Sequence, residues 1–175
     1  MRALLFLAPL AAALASPAPA QQRHNSTAPI DFNADSIELQ DRANRAILAG
    51  NVSVKQADMT LNSARLTVAY TGQVVQGSPQ VSRLDASGGV TLRRPDQTAR
   101  SQFAVYDLNR RVITMLGGVT LLQGGNVVNG GRLTINLDSG RAVIDGSAVG
   151  AKNADGSIQP SGGRVSGRFS VPARN

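Results

Sequence analysis

The chain contains no cysteine. A disulfide framework, a thiolate metal site and a cysteine nucleophile are therefore excluded, and a small exported domain must hold itself by burial, backbone ladders or assembly. Tryptophan is also absent, and aromatic residues make up only 3% of the sequence. Histidine occurs once, as His24, in a stretch that reads as flexible. A lone imidazole has no second histidine for a metal and no serine–aspartate framework for nucleophilic catalysis. The acidic residues are nearly all aspartate, and most fall in turn-like segments, where Asp bonds to local backbone. Asp31, Asp35, Glu38 and Asp41 cluster early, and a paired-carboxylate hydrolase is the one enzyme class they suggest. No phosphate-binding glycine loop is present, since Gly124-Gly125-Asn126 reads as a hairpin turn. No catalytic residue, metal ligand or cofactor is expected.

Long apolar runs are missing too, apart from Leu4 to Leu14 near the start. That run is about half of the ~20 residues a membrane-spanning helix needs. It comes after the charged Met1-Arg2 and precedes Ala18-Pro19-Ala20, an A-x-A cleavage pattern, so residues 1–20 read as a cleaved signal peptide. The chain is strongly basic. Its formal net charge is +7, and arginine far outnumbers lysine. A basic surface suits an anionic partner, and export makes nucleic acid a poor one. The arginine fork matches phosphate oxygens in particular.

The middle of the chain is repetitive. Gly50-Asn51-Val52-Ser53-Val54 returns as Gly88-Gly89-Val90-Thr91-Leu92 and as Gly117-Gly118-Val119-Thr120-Leu121. Four and two residues before a glycine stand apolar pairs: Ala46 and Leu48 before Gly50, Ile113 and Met115 before Gly117, Ala142 and Ile144 before Gly146. Apolar residues at period two, alternating with polar or basic ones, describe strands with one inward face. Leu66, Val68 and Tyr70 continue the pattern, as do Leu133, Ile135 and Leu137. Asp41 to Arg45, Asp107 to Arg111 and Asp138 to Arg141 carry turn chemistry, and glycine at the strand junction allows a bend or bulge. Short strands repeated in this way suggest an all-β sandwich, barrel or stacked solenoid with open ends, and open sheet ends invite head-to-tail association. The pattern fades near Ala148. The chain divides into the signal peptide, a flexible stretch at 21–27, a β-domain at 28–147 and a disordered basic tail at 148–175.

Several segments in order carry a resemblance: Pro29-Ile30-Asp31-Phe32, Ala34-Asp35 with Glu38, Gly50-Asn51-Val52, Ala104 to Leu108, and Gly117 to Gln123. Together they resemble the OstA-like family of periplasmic lipopolysaccharide-transport proteins over residues 28–147. The resemblance implies a twisted antiparallel β-jellyroll with open ends, whose protomers stack end to end in the periplasm. It implies an apolar groove that shields the lipid A part of lipopolysaccharide, and partners in the inner- and outer-membrane components of the same machinery. Ile30 and Phe32 match the family's N-terminal strand, and Tyr106 and Leu108 a central strand, both facing the groove. Ser82 stands where the family pattern has an aromatic residue.

From the alternation, Leu48, Val52, Leu66, Val68, Met115 and Leu121 join Ile30, Phe32, Tyr106 and Leu108 as candidates for the groove wall. Arg65, Arg83, Arg93, Arg94, Arg110 and Arg111 are candidates for its rim. Two other readings stay open: a structural or adhesive β-solenoid that binds protein or glycan without lipid, and the hydrolase.

Overall fold

A computed structural model describes residues 24–72, 79–146 and 163–170. The signal-peptide segment and most of the tail lie outside these residues. The described chain is all-β, with a single 3-10 turn at Asp41–Ala43. Ten strands form one antiparallel sheet: β1 (Ile30–Asn33), β2 (Ser36–Gln40), β3 (Arg45–Gln56), β4 (Met59–Thr71), β5 (Gln80–Arg94), β6 (Gln97–Asp107), β7 (Val112–Gln123), β8 (Asn126–Asn136), β9 (Ala142–Asp145) and β10 (Ser166–Arg168). The turns read from the sequence are present, and two further tight turns, at Ala57-Asp58 and Pro95-Asp96, join β3 to β4 and β5 to β6. Gly124 and Gly125, both at positive φ, make a two-residue hairpin between β7 and β8. The backbone N–H of Arg110 donates to Asp107 Oδ1, and that of Ser139 to Asn136 Oδ1.

Strands β3 to β8 form an up-and-down meander, and each breaks register near its middle. Gly50-Asn51, Gly88-Gly89 and Gly117-Gly118 all have positive φ at these breaks. In each pair two residues face about one on the neighbouring strand, as in a β-bulge, and the strand bends. The alternate strands bend differently. Buried Ser63 and Ser101 turn their hydroxyls onto the carbonyls of Arg65 and Phe103, at 3.1 and 2.8 Å.

The breaks divide the sheet into two leaves. One leaf runs from β2 through the Arg45–Ala49 half of β3 to the Arg132–Ile135 half of β8 and β9. The other runs from β1 through the Ser53–Gln56 half of β3 to the Val127–Asn129 part of β8 and β10. The inward rows of the leaves meet in the core. Leu48, Leu66, Ile113, Met115 and Leu133 come from the first, and Val52, Leu61, Val90 and Leu92 from the second. Each is at most 2% exposed, so each contributes roughly the 1.5–3 kcal/mol of a buried aliphatic side chain.

Two expectations change at the ends of the chain. His24 is not in a loose stretch: its side chain is fully buried. The segment read as a disordered tail also supplies β10, whose three residues pair with β8.

Candidate functional site

The inward rows do not fill the space between the leaves evenly. Next to β1 and β2 they leave an apolar cavity of about 310 Å³. Its wall comes from five strands. Ile30 and Phe32 stand on β1, Ile37 and Leu39 on β2, Leu48 and Val54 on β3, Leu66 and Val68 on β4, and Val81 and Leu84 on β5. Phe32, Ile37 and Leu39 are half exposed, at 51%, 50% and 55%. They form the mouth, because among the described residues β1 and β2 each pair only with β3 and have no strand on the far side. Ser-Ile-Glu-Leu-Gln in β2 alternates at period two, so Ile37 and Leu39 were within reach of the pattern that located the other strands.

Of the ten residues proposed for a groove wall, Ile30, Phe32, Leu48, Leu66 and Val68 line this cavity. Val52, Tyr106, Met115 and Leu121 are instead buried core residues, and Leu108 is half-buried against that core. Lateral position separates four of the five: Tyr106, Leu108, Met115 and Leu121 stand on or beside β6 and β7, farther from the β1–β2 edge, whereas Val52 is on β3 beside its register break.

A polar cluster lies next beyond the cavity lining. Along one inward row Leu39, Ala46, Val68 and Leu84 are succeeded by Tyr106, and in the facing leaf Ile30 is succeeded by Gln56. Tyr106 Oη donates to Gln56 Oε1 at 2.8 Å, joining the leaves. Gln56 is 2% exposed, and its Nε2 donates to the carbonyls of Ser26 and Ala28, both at 3.0 Å. His24 Nδ1 donates to Asp58 Oδ1 at 2.7 Å, and its Nε2 faces Gln56 Oε1 at 3.4 Å. The segment from His24 to Pro29 is thus a strap pinned to Gln56 and Asp58. Burial pushes the Tyr106 phenol above its ordinary value, against the opposing pull of the Gln56 bond and the Arg111 charge.

The basic residues sit mostly elsewhere. Arg65, Arg83 and Arg93 alternate with inward residues and so project from the outer surface, where Arg83 pairs with Asp85 at 2.7 Å and Arg93 bonds Asn62. Arg110 and Arg111 lie in the turn after β6, with Arg111 paired to Asp138. The early carboxylates are dispersed: Asp35 accepts from Asn51, Glu38 from Gln40 and Asp41 from Tyr70. Among the described residues no group of three or more His, Asp or Glu is placed to hold a metal ion.

The family profile described as "LptA/(LptD N-terminal domain) LPS transport protein" matches residues 31–141. The chain belongs to this LptA/LptD N-terminal family. The matched region contains all but the first residue of β1, the whole of β2 to β8 and all of the leaf-to-leaf core. A relative in Rhizobium meliloti (strain 1021), "Uncharacterized protein R00383", is 33% identical over 121 residues. The alignment takes in 67% of this chain and spans 65% of that relative's length. Among solved structures the fold is similar to that of LptH from Pseudomonas aeruginosa, described as the LptA homologous periplasmic component of the conserved lipopolysaccharide transport device. The TM-score is 0.65 at 18% identity, over 85% of this chain and 99% of that one. The open, antiparallel jellyroll implied by the resemblance is therefore the fold of this LPS transport family member.

Proposed function

We propose that the chain is a periplasmic carrier in lipopolysaccharide transport, holding the acyl chains of lipid A in the cavity beside β1 and β2. The observation that carries this reading is the mouth: three large apolar side chains, Phe32, Ile37 and Leu39, stand half exposed around an apolar space. Leaving such groups in water is unfavourable, and each acyl methylene they bury contributes ~0.8 kcal/mol. The chain acts by binding rather than by chemistry.

The bridge reading adds that copies stack end to end and that inner- and outer-membrane components of the machinery cap the stack. Strand parity supports it. β1 and β2 run antiparallel to β3, while β9 and β10 run antiparallel to β8, which itself opposes β3 in direction. Placing the β1–β2 edge of one copy beside the β9–β10 edge of another therefore extends both leaves with antiparallel pairs. The cavity mouth would then open onto the neighbouring copy.

Native mass spectrometry of the protein recovered from the periplasm, mixed with lipopolysaccharide, tests this. Bound lipid on a ladder of oligomers is the expected result. Oligomers without lipid would replace the carrier with a structural stack, and a lipid-free monomer would overturn both parts.

A further inference from the structure

The inward positions next beyond the cavity lining are polar: Tyr106 follows Leu84 in its row, and Gln56 pairs with Ile30. Apart from Tyr70 the lining side chains are apolar, whereas these two are buried just behind Leu84 and Ile30, before the row continues to Ile113. These two bond to one another across the leaves. The Gln56 amide is also fully engaged: both of its N–H groups donate to strap carbonyls, and its carbonyl takes the Tyr106 hydroxyl and faces the His24 ring. Buried polar groups that are all satisfied hold one arrangement firmly, because breaking any bond leaves a partner unpaired.

We propose that Gln56 and Tyr106 form a stop that sets how long an acyl chain the cavity accepts. The inference rests on the carrier reading above and adds the specificity-determining residues. An acyl chain entering past Phe32 and Ile37 advances along Leu48, Leu66 and Leu84 and meets the Tyr106–Gln56 pair. Going further would require that pair to part inside the protein, with no hydrogen bond offered by a methylene in return. Chain length up to the stop adds burial, and length beyond it stays in the solvent at the mouth. The strap backs the stop, since His24 and the carbonyls of Ser26 and Ala28 hold Gln56 in place.

Displacement of a fluorescent apolar dye by straight-chain fatty acids of increasing length measures this, using the protein recovered from the periplasm of an expression host. Affinity should climb about fourfold per added methylene, the equivalent of ~0.8 kcal/mol, and then level off. In Tyr106→Leu the climb should continue to longer chains. In Gln56→Leu, which keeps the tyrosine, the plateau should also move to longer chains. Circular dichroism establishes that each variant is folded, and either folded variant suffices for the comparison. A wild-type series that never levels, or a folded variant that levels at the wild-type length, would overturn the stop and leave the carrier reading standing. A wild type that binds no chain of any length would overturn both.

Discussion

Asp35 occupies the space that a side chain on Gly50 would need. Its carboxylate lies against the position of the missing Cβ, its N–H donates to the Gly50 carbonyl at 2.9 Å, and its Oδ2 accepts from Asn51. Gly50 also has φ +78, where any other residue is strained. Gly50→Ala should therefore lose about 1–3 kcal/mol from backbone strain, with the clash adding to it. Gly89 has a similar φ, +79, but no atom near its missing Cβ. Urea denaturation should rank Gly50→Ala as the more destabilising of the two, and equal losses would remove Asp35 from the explanation.

Phe32 and Leu108 share one expectation in the sequence, and their surroundings separate them. Phe32 is at the cavity mouth and half exposed, so Phe32→Asp should leave the urea midpoint nearly unchanged while weakening lipopolysaccharide binding at least tenfold. Leu108 packs against the core, and its N–H donates to the Ser82 carbonyl. Leu108→Asp puts a charge against apolar neighbours and should cost about 1–3 kcal/mol of stability. Retained binding in Phe32→Asp would take the mouth out of the site.

Asp58 makes the strap sensitive to acid. Burial works to raise its carboxyl, but the His24 hydrogen bond, its own backbone N–H and the charges of His24 and Arg94 outweigh this, leaving it below the ordinary value. A carboxyl lowered in the folded state stabilises the fold above its unfolded pKa, ~3.9. That contribution fades as pH falls through the folded value. The stability gap between wild type and Asp58→Asn should be full near neutrality and shrink below about pH 4, as read from urea midpoints at stepped pH. A gap independent of pH would mean that the charge of Asp58 contributes nothing.

Val143 tests the far edge. It is 40% exposed in the four-residue strand β9, which carries no side chain of the buried core. Proline there removes an N–H and breaks the edge ladder. Val143→Pro should keep the β-sheet circular dichroism while reducing the assembly size seen by static light scattering. An unchanged size would exclude β9 from any contact between copies.

The meander was legible because its signals are local. Period-two alternation marks β3, β5 and β7, with Gly50-Asn51 in the first and paired glycines in the other two, and turn residues mark Asp107 to Arg111 and Asp138 to Arg141. The strap was not legible. His24 and Gln56 are far apart in sequence and look like ordinary surface residues, and only the fold brings an imidazole, a carboxamide and a phenol to one buried point. β10 was missed for a related reason: Ser-Gly-Arg has no strand signature, and it pairs through backbone alone. The cavity wall was half legible. Alternation identifies which side chains point inward, but whether an inward residue meets a partner or a gap depends on its distance from the edge of the sheet and on its place along the strand.

The register breaks of β3 to β8 lie side by side, so that Gly50-Asn51, Ala64, Gly88-Gly89, Gln102, Gly117-Gly118 and Gly131 trace one line across the protein. A sheet interrupted along a single line behaves like a folded card. The two leaves meet along that crease, where the backbone leaves the regular ladder, and the shared core holds them together. The Tyr106–Gln56 bond ties the leaves a second time, away from the crease. The crease therefore fixes how the two walls face one another, while each wall stays a regular antiparallel ladder.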